Sequence, residues 1–146
     1  MQPNSFDLPA VDQVGFVVAN LDEAVRRYTP LFGEATTMDA EIEGADYRGK
    51  KVDCRLKLAM FRSGPVEIEF IEVVDGEAIH TEFLRAGRDG PHHVRFTVAS
   101  FAEAAAKLEA AGMEAVFGKR FAPGLEFAYF EAADGTLWEL FENNAD

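Results

Sequence analysis

The sequence has one cysteine, Cys54, in 146 residues, so no disulfide forms within the chain and a fold stapled by such bridges is excluded. It has no uninterrupted apolar run approaching the 18 or so residues that cross a bilayer as a helix, which argues against a membrane partner. Basic residues are scarce: 14 Lys and Arg against 26 Asp and Glu leave a formal net charge of −12. No Lys/Arg cluster offsets that charge, so it repels polyanions and disfavours nucleic acid as a partner. The opening MQPNSFDLPA lacks the basic and apolar stretches of a secretory leader, and with the lone cysteine this makes the cytoplasm the expected location. What is present, 48% hydrophobic and 27% charged residues, is the composition of an ordinary globular protein. The length suits one domain with a sizeable core and is short for two.

The sequence repeats itself. The phrase from Val11 to Tyr28 matches that from Pro91 to Leu108 at a constant offset of 80, Val14 meeting Val94, Phe16 meeting Phe96, Val18 meeting Val98 and Glu23 meeting Glu103. A second register, offset by 70, sets Ile68-Glu-Phe-Ile-Glu against Trp138-Glu-Leu-Phe-Glu. Two similar modules in one domain follow, module one over about 8–75, a linker over about 76–87 and module two over about 88–143.

Each module opens on alternating apolar residues, the period-two pattern of a strand with one buried face. A helix follows in each: Asn20 with Glu23, and Ser100 with Glu103, have capping-box spacing. The apolar stripes Leu21, Ala24, Val25, Tyr28, Leu31 and Phe101, Ala104, Ala105, Leu108, Ala111 have helical spacing. Further strands are predicted over 52–61, 66–73, 126–131 and 137–142, with a weaker pattern over 35–43. Each module therefore reads as βαβββ, an α+β architecture, and the linker carries a short helical pattern from Ile79 to Leu84.

Alternation also assigns faces. If Val14, Phe16 and Val18 face the helix, Gln13 and Gly15 face the other way; the same parity groups His93, Arg95 and Thr97, then Glu67 and Glu69, then Glu139 and Phe141. His92, next to His93, is assigned to the opposite face. Gln13 and His93 are equivalent in the repeat, as are Glu69 and Glu139, so a pseudo-twofold pairing of modules brings all four towards one axis. One imidazole nitrogen, one amide oxygen and two carboxylates suit a divalent metal with positions left for water or substrate. Arg95 reads either as an ion-pair partner of Glu67 or as an anchor for a substrate carboxylate or phosphate.

The strand-helix phrase from Val11 to Gly33, the phrase His92-His-Val-Arg-Phe-Thr-Val98 and the ending Asp134-Gly-Thr-Leu-Trp-Glu-Leu-Phe-Glu142 together resemble the vicinal oxygen chelate superfamily over nearly the whole chain. Within it, Ile68-Glu-Phe-Ile-Glu72 and the stretch from Ala78 to Val94 are most similar to the methylmalonyl-CoA epimerases. The resemblance implies two βαβββ modules whose sheets form a cup around a central site, with the helices outside. It further implies metal ligands at Gln13, Glu69, His93 and Glu139, one divalent ion (Zn, Co, Ni, Mn or Mg), a small-molecule substrate and a homodimer. Gln13 stands where the family more often has His. The epimerase pattern places a second catalytic carboxylate near Ala45-Asp-Tyr-Arg-Gly, where Asp46 is the nearest candidate.

A metal that chelates neighbouring substrate oxygens stabilises the enolate formed when a proton α to a carbonyl is removed. The expected activity is therefore that of a metal-dependent epimerase or isomerase on a small α-carbonyl or acyl-thioester substrate. Glu139 is the preferred base, and Glu69 or Asp46 would serve the opposite face. The alternatives are a glyoxalase I-like lyase and a metal-free ligand-binding protein of the resistance type. Extradiol dioxygenase chemistry is disfavoured because Gln13 replaces a needed imidazole.

Overall fold

Alternation around Gln13 becomes strand β1, Gln13–Val17, in the computed structural model, which describes residues 6–144 of the chain. Of the opening read for a leader, residues 1–5 lie outside that range. After β1 come α1 (Leu21–Phe32), β2 (Thr36–Tyr47), β3 (Lys50–Ser63), β4 (Val66–Gly76) and the short helix α2 (Ile79–Arg85). The second half runs β5 (Gly90–Thr97), α3 (Phe101–Ala110), β6 (Glu114–Ala122), β7 (Leu125–Glu131) and β8 (Leu137–Asn143). The eight strands close into one barrel in the order β1-β4-β3-β2-β6-β7-β8-β5. A barrel of eight strands is just wide enough for its interior to fill with side chains.

The two long strands that the sequence marks least clearly are irregular. In β2 the pairing with β3 slips between Ile42 and Ala45, around Gly44, which has φ +65°. In β6, for which the sequence analysis named no strand, pairing with β7 slips twice, between Ala115 and Phe117 and between Arg120 and Ala122. Each bulge inserts a residue and breaks the period of two that a pattern search relies on.

Both long helices start as their capping residues dictate. The Asn20 side chain accepts from the Glu23 N–H at 2.9 Å and the Ser100 hydroxyl from the Glu103 N–H at 3.2 Å. Another free N–H at each start is taken by a strand carboxylate, Leu21 by Glu72 and Phe101 by Glu142, both at 2.7 Å. The faces assigned to the helices pack there: Phe16, Val18, Phe61 and Phe70 form one cluster with α1, and Phe96, Val98, Phe130 and Leu140 another with α3.

The expectation that the helices lie outside holds for α1 and α3 and fails for α2. Ile79 and Phe83 join Val17, Tyr47, Phe117 and Tyr129 in the cluster that fills the barrel. Three of the seven α2 residues, Ile79, His80 and Phe83, are fully buried, because a seven-residue helix hides enough apolar surface only by entering an existing core. Arg48 ties this helix down from outside, its Nη2 lying 2.9 Å from Glu82 and 3.1 Å from Glu131.

Candidate functional site

Strands β1 and β5 run antiparallel with Gln13 opposite Arg95 and Gly15 opposite His93. Beyond Gly15 the register slips and Phe16 meets Pro91, so β5 carries His92 as an extra residue. That bulge corrects the face assigned to His92 from the sequence. Both histidines are buried, and their Nδ1 atoms lie 3.0 Å apart in a hydrogen bond. The ring of His93 lies directly on Gly15, where an added Cβ would stand 2.1 Å from His93 Cε1 and 2.4 Å from Nε2. Gly15 is thus a site residue that the sequence reading passed over. The available signal was a glycine inside an otherwise apolar strand, which marks a close approach.

Three oxygens surround His93 Nε2. Gln13 Oε1 is hydrogen-bonded to it at 3.2 Å, Glu139 Oε1 stands at 3.2 Å and Glu69 Oε1 at 3.7 Å. All four side chains are buried, so the structure brings together the set that the repeat selected. The Gln13 amide donates to Glu67 at 2.6 Å. The Tyr129 ring packs against His93 with centroids 4.7 Å apart, and its hydroxyl shares a 3.0 Å hydrogen bond with His80 Nε2.

Arg95 lies on the same wall, where its Nε donates to Asp12 at 2.8 Å and its Nη2 lies 3.8 Å from Glu67. Its guanidinium sits 5.2 Å from the Phe141 ring centroid. Asp46 does not join the site. It is exposed, between the inward-facing Ala45 and Tyr47, and pairs with Lys51 at 2.5 Å. Alternation over residues 45–47 sends its carboxylate out of the barrel, away from His93, so Asp46 is not placed to serve as the expected second base.

Burial dominates the electrostatics of the cluster. Both Glu69 and Glu139 are pushed up to about 8 from 4.5, chiefly by desolvation. For Glu69 the Glu139 charge adds to this, and Arg95 opposes it for both. His92 and His93 are pushed down to about 3, again first by burial, with Arg95 adding to the effect on His93. The barrel therefore holds neutral imidazoles beside carboxyls that resist ionising at neutral pH.

Among the described residues, no group of three or more His, Cys, Asp or Glu side chains is placed to hold a metal ion as they stand. The donors hydrogen-bond or crowd one another instead, and one of the four is an amide. Their chemistry nevertheless fits a divalent cation: two buried carboxylates need a positive partner, and the imidazole is neutral with Nε2 at the focus. Ligand atoms about 2.1 Å from one ion are about 3.0–3.4 Å from each other. Gln13 and Glu139 already have that spacing from His93 Nε2, whereas Glu69, at 3.7 Å, must turn inward. A cleft between α2 and the β7–β8 turn, lined by Phe83, Arg88, His92 and Trp138, also borders His93, but not Gln13, Glu69 or Glu139.

Solved structures share this fold. Methylmalonyl-CoA epimerase from Mycobacterium tuberculosis superposes with a TM-score of 0.69 at 21% identity, over 99% of this chain and 94% of that one. A variant of the Streptomyces coelicolor methylmalonyl-CoA epimerase, in complex with 2-nitronate-propionyl-CoA, gives 0.67 at 20% over 94% and 96%. A hypothetical protein from Bacillus halodurans gives the same score, identity and coverage. At such identities the likeness is one of fold. No curated protein matches the sequence significantly. Residues 12–129, from the residue before β1 through Tyr129, match the family model described as Glyoxalase/Bleomycin resistance protein/Dioxygenase superfamily, and the chain belongs to that superfamily, the vicinal oxygen chelate family that its repeat resembles.

Proposed function

We propose that the chain is a metal-dependent epimerase or isomerase that removes and returns a proton α to a carbonyl in a small acyl-thioester or α-carbonyl acid. The observation that carries this reading is the pair of buried carboxyls, Glu69 and Glu139, on either side of one neutral imidazole. Gln13, Glu69, His93 and Glu139 would hold the ion. Once bound, it would supply a Lewis acid for the substrate's carbonyl oxygen.

The rest of the chemistry falls to the chain. Glu139, ionised once it faces the ion, would take the proton as general base and return it. Glu69, projecting from β4 rather than β8, would serve the opposite face of the same α carbon. The barrel wall buries both groups, and their carboxyl protons exchange with solvent between turnovers, so the proton returned to the α carbon comes from water. Arg95, already fixed by Asp12 and Glu67, would present its remaining N–H groups to an anionic part of the substrate.

Methylmalonyl-CoA is the first substrate to try, because methylmalonyl-CoA epimerases are among the chain's structural neighbours. Incubation in D₂O should place deuterium at the α carbon, and Glu139→Gln should slow exchange at least about 100-fold. Metal content must be measured in the same sample. His93→Gln should cost more metal affinity than the 10- to 100-fold that follows loss of an outer hydrogen-bond partner. A fully metallated protein that turns over substrate with no deuterium incorporated would overturn the assignment of Glu139.

A second reading is a metal-free ligand-binding protein of the same fold. It is favoured by Gln13, whose neutral amide oxygen is a poorer metal ligand than an imidazole. Elemental analysis separates the two readings: purified protein that takes up less than about a tenth of an equivalent of Mn²⁺, Co²⁺, Ni²⁺ or Zn²⁺ supports the binding protein.

A further inference from the structure

The two Nδ1 atoms of His92 and His93, 3.0 Å apart, can share only one proton, so one ring donates and the other accepts. Which does which is decided at the far side of His93. The Gln13 amide commits an N–H to Glu67 at 2.6 Å, which leaves Gln13 Oε1 as the acceptor facing His93 Nε2 at 3.2 Å. His93 therefore carries its proton on Nε2, and its Nδ1 is a bare lone pair that accepts from His92 Nδ1–H. His92 Nε2 is then bare as well. That agrees with its surroundings, because His92 Nε2 is buried with no hydrogen-bond partner. The rings nearest His92, besides His93, are His80, Phe83 and Tyr129, with centroids 5.1, 4.9 and 5.8 Å away. A bare buried acceptor is tolerated more readily than an orphaned N–H.

We propose that His92 is a positioning residue whose tautomer follows that of His93 and reverses when His93 takes up a metal ion, so that it becomes the acceptor that orients the ligating ring. The proposal rests on the metal reading above. For Nε2 of His93 to act as a ligand it must give up its proton. The ring stays neutral by carrying that proton on Nδ1 instead, and Nδ1–H then donates to His92 Nδ1. His92 becomes the acceptor and carries its own proton on Nε2, where it has no partner, a cost that metal binding must offset. Each ring begins and ends with one proton, so the reversal needs no change in net charge. It also supplies His93 with the outer acceptor that orients a ligating imidazole and raises its basicity. The bulge in β5 is what makes this possible, since regular alternation would turn His92 out of the barrel.

The full-length ¹⁵N-labelled protein tests this directly, because long-range ¹H–¹⁵N spectra report which nitrogen of each ring is protonated and the chain has three histidines. Without metal, His93 should be protonated at Nε2 and His92 at Nδ1. With one equivalent of Zn²⁺, the protons should move to His93 Nδ1 and His92 Nε2. His92→Phe should weaken Zn²⁺ binding about 10- to 100-fold and leave metal-free His93 protonated at Nε2, where Gln13 holds it. His93 already protonated at Nδ1 before Zn²⁺ is added overturns the proposal, as does His92→Phe binding Zn²⁺ like the wild type. Zn²⁺ bound at His93 with the His92 proton unmoved overturns it while leaving the metal reading intact. If Zn²⁺ does not bind, the metal reading falls and the reversal falls with it. Should His92→Phe fail to fold, the wild-type spectra decide.

Discussion

In the first half of the barrel Glu72 accepts from the N–H of Leu21, and in the second Glu142 accepts from the N–H of Phe101 at the same 2.7 Å. The frame is duplicated to that level of detail. The seam between the halves is not. Asp12, Gln13 and Gly15 correspond through the offset of 80 to His92, His93 and Arg95. Gly15 leaves the space that the His93 ring occupies, while its counterpart Arg95 reaches across to Asp12. The differences at these three pairs of positions make the crossing of strands an uneven pocket, with its imidazoles all outside the first four strands. The helix sides differ too. Under α1 the rings of Phe16, Tyr28 and Phe70 stack at 4.9–5.0 Å, whereas α3 packs mainly through Ala104, Ala105 and Leu108.

The largest test of this comparison removes equivalent core residues from the two halves. Phe70 and Leu140 correspond through the offset of 70 and are each at most 2% exposed. Phe70→Ala should cost about 3–5 kcal/mol and Leu140→Ala about 2–5 kcal/mol, measured by denaturant unfolding. The first should be the worse, because Phe16 and Tyr28 lose their stacking partner and Phe61 its edge-on contact. Equal losses would show that the aromatic cluster adds nothing beyond its volume.

A second test uses pH to separate the seam from the frame. Glu69 and Glu139 sit near 8 when folded against 4.5 ordinarily. The folded protein thus binds more protons than the unfolded chain between those values, and stability falls as pH rises through that window. His92 and His93 sit near 3 against 6.5, and His80 is lowered as well. They have the opposite sign, so their contribution rises with pH up to about 6.5. The two effects oppose each other below pH 6.5, and only the carboxyls act above it. Metal-free protein should therefore lose on the order of 2 kcal/mol between pH 6.5 and 8, and Glu139→Gln should flatten that decline.

Gly15→Ala should cost about 1–3 kcal/mol through overpacking and should displace the His93 ring. A crystal structure or the His93 ring shifts would show the displacement, and an unmoved ring would break the claim that Gly15 shapes the site. The smallest effects belong to the duplicated frame. Glu72→Ala and Glu142→Ala should each cost about 0.5–2 kcal/mol, and thermal unfolding should find the two losses alike.

How much of this was legible before folding differs by region. The repeat, the capping residues Asn20 and Ser100 and the convergence of Gln13, Glu69, His93 and Glu139 were readable, because each depends on regular spacing or on exact duplication. The placement of His92, the role of Gly15 and the course of β6 were not. In each case a bulge or a close approach carries the information, and neither has a period.

The sequence alone determined the alternation of the strands, the starts of α1 and α3 and the internal repeat that groups Gln13 with His93 and Glu69 with Glu139, because alternation and duplication are local properties of the chain. Only the tertiary structure decided that α2 enters the barrel, that Asp46 points away from it and that His92 turns in beside His93. These outcomes depend on how one strand registers against another and on what volume remains inside a closed barrel, and both are set only when distant segments meet.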